Sequence, residues 1–344
     1  MIWTQKGSVE ELQSNAQFII PIAVGFIGWQ VVWGPAVWKK DTSPLTGPDH
    51  VWFVAKKIDR DGTPDRYVTS VAGATTAYNL IINAAGVIDV VNFTTWTTSA
   101  APTPASSIVA TDAYISLGTA QGVHVLRSAQ GPGFPKALPE YLKDAPRASV
   151  GSEFIFTGPS LGGVLSPVLA LMLKRDGGTF GESDTVRAYP IAGPSPGNAV
   201  FAAAFAELFV KTDGDGYQVW NTNIVNSLDI VPYGWSTDPN QSLRLNEIPG
   251  IYGNSPPLEA IKRTINIAQE AANKSNLTYI PLQHTILTPP SPPVPPNYEA
   301  FTATAFDQHT SGYARLFGIP LLGTAFTAAA GAEDTLFPDL INYV

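Results

Sequence analysis

The chain has 344 residues, of which 14% are charged and 44% hydrophobic, with a net charge of −8 and no cysteine. This is the composition of an apolar globular protein with enough chain for a large core, as one large α/β domain or two ordinary ones. The acidic balance argues against a nucleic-acid partner, which needs a basic footprint. The missing thiols exclude disulfides, thiolate zinc sites and a cysteine nucleophile.

In chain order, Phe18 to Trp38 comes first as a stretch without charge. It is long enough to raise the question of a membrane span. Pro21, Gly25, Gly28, Gly34, Pro35 and Gln30 interrupt it, and Glu10 and Glu11 precede it where a signal peptide carries positive charge. Core or pocket lining is therefore the leading expectation, with an interfacial patch and then a true span as the alternatives. Phe18, Phe26, Trp29 and Trp33 suit an apolar ligand site. No signal peptide is recognisable, so a secreted or cell-associated location follows only if a leader was removed.

Val51–Ala55 and Tyr67–Val71 read as strands joined by a solvated turn over Asp59–Asp65. Asn79 to Phe93 is strongly apolar. Thr97 to Ser107, rich in Thr, Ala, Ser and Pro, suits a surface loop. A helix is expected around Leu138 to Lys143, then a strand over Phe154–Phe156, then a helix from Leu161 to Arg175, with Pro167 placed to kink it. Val186–Ala192 and Tyr217–Val225 are further strand candidates, with an Ala-rich helix, Ala199 to Val210, between them. Thr288 to Asn297 holds six prolines and must run extended, as an excursion within the domain. Strands alternating with helices imply a mostly parallel sheet covered on both faces, and one domain over residues 1–344.

The most informative string is Gly158-Pro159-Ser160-Leu161-Gly162, which follows Phe154–Phe156 and opens a helix. It spells the nucleophile elbow G-x-S-x-G, a sharp strand-to-helix turn that lifts a serine hydroxyl above a sheet. Its glycines stand where a side chain would collide with a neighbouring element. The string alone is weak, and its strand-then-helix context strengthens it.

A serine hydroxyl needs a base, and the base needs an orienting group. Of the four histidines, His284 and His309 follow Ser160, and their chemistry alone does not separate them. Asp229, in Ile224 to Pro232, lies just past a strand end, where an α/β sheet presents catalytic groups. It reads equally as a buried, partnered carboxylate or as a turn cap.

Several blocks together resemble the class 3 (fungal-type) lipases. Thr157-Gly158-Pro159-Ser160-Leu161-Gly162-Gly163 resembles that family's T-G-H-S-L-G-G elbow. Gly193-Pro194-Ser195-Pro196-Gly197-Asn198 resembles its G-x-P-R-x-G-N block, and Asn226 to Pro232 its N-x-x-D-x-V-P block. His309 with Tyr313 resembles its H-x-x-x-Y ending, and Ala72-Gly73-Ala74-Thr75 its R-G-T or R-G-S block. The resemblance implies an α/β-hydrolase fold, a Ser160, Asp229 and His309 triad, and an oxyanion hole from the N–H groups of Leu161 and Ala74. It also implies a lid over Thr76 to Trp96, for which a plain core segment is the competing expectation. The chain departs from the family pattern in three places. Pro159 replaces a histidine, Ala72 replaces an arginine, and Ala74 lacks the hydroxyl often found there, with Thr75 the substitute if the register shifts by one.

The expected activity is serine carboxylic-ester hydrolysis on an ester or lipid substrate, in the manner of a triacylglycerol lipase or lipase-like esterase, at a lipid–water interface. It calls for no metal, organic cofactor or partner protein. A phospholipase, polyester hydrolase or acyltransferase would use the same triad. A non-catalytic lipid-binding protein is the alternative from another class.

Overall fold

A computed structural model describes residues 5–58, 65–73, 86–96, 100–130, 134–253 and 258–319. In chain order the elements are α1 (Val9–Gly25), β1 (Trp29–Trp38), β2 (His50–Lys57), β3 (Arg66–Val71), β4 (Val90–Asn92), β5 (Tyr114–Ser116) and α2 (Leu117–Ser128). There follow α3 (Leu138–Asp144), β6 (Glu153–Pro159), α4 (Leu161–Asp176), β7 (Thr185–Ile191), α5 (Ala199–Leu208) and β8 (Asn223–Asn226). The last are α6 (Leu258–Lys274), β9 (His284–Leu287), α7 (Tyr298–His309) and α8 (Ser311–Leu316). Two compact units are formed. The first is Met1–Asn79, Thr97–Pro102 and Ala120–Ile191, and the second is Leu80–Trp96, Thr103–Thr119 and Ala192–Val344.

In the first unit, α1 starts at a capping box: Ser8 Oγ accepts from Glu11 N at 3.2 Å, and Ser8 N donates to Glu11 Oε2 at 2.9 Å. Leu12, Ala16 and Ile20 recur every four residues, so they form one stripe along the helix. That stripe is fully buried against Val37, Val51, Phe53 and Ala55 of β1 and β2. Strands β1, β2 and β3 pair antiparallel in sequence order. β6 then joins β3 in parallel, and β7 joins β6 in parallel. Phe154, Ile155 and Phe156 of β6 are all buried, the pattern of a parallel strand covered on both faces. Helix α4 continues past Pro167 to Asp176, with every residue from Leu161 to Leu173 buried.

In the second unit, β8 and β9 pair in parallel. Val225 and Leu228 share a core with Tyr233, Leu245, Ile248, Ile261, Ile265 and Phe301. The strand expected over Tyr217–Val225 shrinks to β8. The left-handed backbone of Asn221 (φ 62°) breaks the extended run, and Thr212 N–H bonds Trp220 O to close a loop before it. The Pro-rich tract has no regular structure before α7, and Asn297 caps that helix through Ala300 N. Within the segment read as a lid, Val87, Val90, Val91, Phe93 and Trp96 are buried, and Val87 and Val90 pack with Tyr114, Ala272, Leu277 and Tyr279. Residues 76–85 of that segment lie outside the described residues, as does most of the Asp59–Asp65 turn.

The Phe18–Trp38 stretch divides. Trp33 enters the core, with its ring 5.5 Å from Phe134 and 6.2 Å from Trp52. Phe18 and Phe26, expected inside, are 71% and 87% exposed. They lie off the Leu12–Ile20 stripe that α1 turns to the sheet. No helix of the described residues is long and apolar enough to cross a membrane.

His50 opens β2 inside this core, against the Trp38 ring and with Gly122 of α2 beside it. Its Nδ1 has no hydrogen-bond partner, and burial pushes its pKa from 6.5 down to about 4. The unfolded chain therefore binds the proton first as pH falls. Stability should be constant above about pH 6.5 and decline by ~3 kcal/mol towards pH 4 on this account. Urea unfolding of His50→Gln across that range should show a flatter decline than the parent. Identical slopes would exclude His50 as the cause.

Candidate active site

The elbow is built by sterics. Ser160 sits between the last residue of β6 and the first of α4 with φ 57° and ψ −119°. That backbone is costly for any residue with a Cβ, and neighbouring contacts must enforce it. Ser160 N–H donates to Ile191 O at 2.9 Å, and Ser160 O accepts from Val164 N at 3.2 Å. A Cβ at Gly158 or at Gly162 would overlap Val71 O, so both positions require glycine. The hydroxyl makes no capping bond to its helix, which leaves it uncommitted at the helix N-terminus. Leu161 follows as the first residue of α4, where N–H groups have no partner within the helix.

The Ala72-Gly73 part of the expected oxyanion block starts beside this elbow. A Cβ at Gly162 would come 3.1 Å from Ala72 O, and Ala72 N–H holds Val51 O at 2.9 Å. Ala74 itself, with Thr75, lies outside the described residues.

In the second unit, Asp229 and His309 are brought together. His309 is the last residue of α7, and its Nδ1 lies 2.8 Å from Asp229 Oδ2. A carboxylate at this spot accepts, so Nδ1 carries the proton and Nε2 is the free basic nitrogen. Asp229 is wholly buried. Oδ2 also accepts from Tyr313 Oη at 2.9 Å, and Oδ1 accepts from Val231 N at 3.0 Å. Burial and the adjacent Asp229 hold the Tyr313 pKa well above its usual value, so the phenol stays a donor.

A second layer fixes the dyad. Asn226 N donates to Tyr313 Oη at 3.0 Å. Asn226 Nδ2 donates to Gln308 O at 2.9 Å and to Gln308 Oε1 at 3.0 Å, which ties the end of β8 to the residue before His309. Tyr252 Oη donates to Leu228 O at 2.7 Å and Tyr233 Oη to Ser227 O at 3.0 Å. Asn226 and Gln308 were missed as contributors. Their only sequence signal was Asn226 heading the block that contains Asp229.

His284 has a different setting. It opens β9, its Nδ1 faces Leu282 O at 3.0 Å, and burial lowers its pKa. In the Gly193 to Asn198 block the last residue holds elements together. Asn198 Oδ1 caps α5 through Phe201 N and also accepts from Tyr114 N, each at 3.0 Å. Among the described residues no group of His, Asp or Glu is arranged to hold a metal ion.

The family model "Lipase (class 3)" matches residues 90–236, which include Ser160 and Asp229. The chain is similar to the crystal structure of M37 lipase, at 26% identity and TM-score 0.64, over 85% of this chain and 79% of that one. Rhizomucor miehei triacylglyceride lipase aligns at 18% identity and TM-score 0.39, over 67% and 71%. No curated protein sequence matches the chain. With a class 3 lipase region at residues 90–236 and the likeness to M37 lipase over most of its length, the chain is a serine ester hydrolase of the lipase type on an α/β-hydrolase fold.

Proposed function

We propose that the protein hydrolyses carboxylic esters of fatty acids, triacylglycerols or related lipid esters, through an acyl-enzyme on Ser160. The observation that carries this reading is the buried Asp229–His309 hydrogen bond, in a chain that also holds Ser160 in elbow geometry. Ser160 Oγ attacks the ester carbonyl while His309 Nε2 takes its proton. Asp229 keeps the imidazole in the tautomer that exposes Nε2 and stabilises the imidazolium. The N–H groups of Leu161 and Ala74 hold the oxyanion. Each such donor is worth about 3 kcal/mol of transition-state stabilisation. The imidazolium returns its proton to the leaving alkoxide oxygen, which departs as the alcohol. Water then attacks the acyl-serine by the same steps and releases the fatty acid.

A fluorophosphonate ester tests the nucleophile. The folded protein should be modified on the peptide containing Ser160, and Ser160→Ala should remain unmodified. An unlabelled parent would refute the enzyme reading. His309→Ala should lower kcat by at least about a thousandfold, whereas His284→Ala should stay near the parent. The reverse pattern would move the base to His284.

Tyr313→Phe removes a donor from a buried carboxylate and an acceptor from Asn226 N–H. A loss of about 1–3 kcal/mol in urea unfolding is expected, since buried polar groups are left short of partners. An unchanged midpoint would show that the phenol bonds contribute nothing to stability.

A further inference from the structure

Helix α1 uses only one stripe for folding. Leu12, Ala16 and Ile20 face the sheet, while Phe18, Ile22 and Phe26 point away from it, and Ile27 in the following turn is 66% exposed. Ile58, also exposed, joins them from the end of β2, because its N–H donates to Gly28 O at 3.0 Å. Five large apolar side chains therefore share one tip of the first unit. This exceeds the scattered exposed apolar residues of an ordinary surface.

The charge pattern gives the tip a direction. No charged residue occurs from Gln13 through Trp38. Glu10 and Glu11 lie at the opposite end of α1, roughly 20 Å away at 1.5 Å per residue. At the base of the tip, half-buried Trp29 has Lys57 Nζ 5.4 Å above its ring, and the same ammonium donates to Ile27 O at 3.4 Å. Trp and Lys below an apolar tip are the side chains that settle at the level of lipid headgroups, with an apolar body on one side and a wet end on the other.

We propose that this tip anchors the protein on a lipid surface, with the C-terminal end of α1 entering first and Phe18, Ile22, Phe26 and Ile27 among the acyl chains. A second copy of the chain fits less well, because five side chains at a helix end fall far short of the roughly 20 residues a side in a stable dimer interface. The nature of the surface rests on the lipase-type activity, while the anchoring itself is independent of how Ser160 reacts.

Full-length protein should co-sediment with phosphatidylcholine vesicles. The double variant Phe18→Ser/Phe26→Ser should bind them at least about tenfold more weakly, because two buried phenyl groups are lost from the lipid phase. Its rate on a monomeric short-chain ester should stay within about twofold of the parent, since neither residue supports the core or the dyad. Because the chain has no cysteine, Ile27→Cys takes a single environment-sensitive dye, whose emission should rise and shift to the blue on adding vesicles. Equal vesicle binding by parent and double variant overturns the proposal, as does an unresponsive dye. A parent dimer that the double variant turns into monomers overturns it in favour of self-association. Ser160→Ala should bind vesicles like the parent, so failure of the catalytic reading and failure of the anchor give different results.

Discussion

The interaction on which most of the site depends is the burial of the Asp229 carboxylate. A carboxylate withdrawn from water is tolerated only when donors replace the lost hydration. Here the replacements come from three directions: Val231 N from its own turn, His309 Nδ1 from the end of α7 and Tyr313 Oη from α8. The requirement therefore fixes where two helices sit against the end of β8. Asn226 strengthens the same joint, holding Gln308 with its side chain and Tyr313 with its backbone. Gly312 has to be small there, because a Cβ would come 2.8 Å from Asn226 Nδ2. The orientation of His309 is thus a consequence of satisfying a buried charge.

Ser160 is held by sterics and backbone bonds, with no charge involved. Its left-handed backbone is maintained by Ile191 O on one side and by the first turn of α4 on the other. Gly158 and Gly162 let Val71 O pass close to both ends of the turn. This serves the chemistry in two ways. The hydroxyl makes no cap bond to its own helix, and in the proposed mechanism the N-terminal N–H groups of α4 are the donors that meet the developing negative charge. The absence of the family's histidine at Pro159 leaves these constraints intact, since they run through backbone atoms and the flanking glycines.

Legibility in the sequence followed how closely the residues involved lie along the chain. The elbow was readable because its glycines and serine fall within five residues, although the atom that demands the glycines, Val71 O, comes from the end of β3. From its chemistry alone Asp229 was readable only as one of two alternatives, since its donors His309 and Tyr313 lie about 80 residues further on, and it was the resemblance of the two blocks to a lipase pattern that implied the pairing. His309 and His284 were chemically equivalent until the hydrogen bond to Asp229 separated them. Strand β8 was overextended because β-prone residues before it continue the pattern, while the turn at Asn221 depends on one backbone conformation. The apolar 86–96 segment was ambiguous for another reason: hydropathy reports that a surface is apolar, not what covers it.

Helices α1 and α4 make the same point from opposite sides. Both are apolar and nearly uncharged through their central turns, and both contain a proline. In α4 every residue of the first thirteen is buried, so its all-round hydrophobicity is spent inside the first unit. In α1 only Leu12, Gln13, Ala16 and Ile20 are buried, and Gln13 satisfies its amide by donating to Pro35 O at 2.5 Å and accepting from Val37 N at 3.0 Å. The anchored stripe of α1 therefore accounts for its folding without Phe18 or Phe26. A helix that needed only that stripe would tolerate serine, lysine or glutamate on its outer face, as α6 does with Glu259, Lys262, Arg263 and Glu270. The large apolar residues kept there in place of charge are unexplained by the core of the first unit, and a lipid surface is the environment in which they lower the free energy of the enzyme.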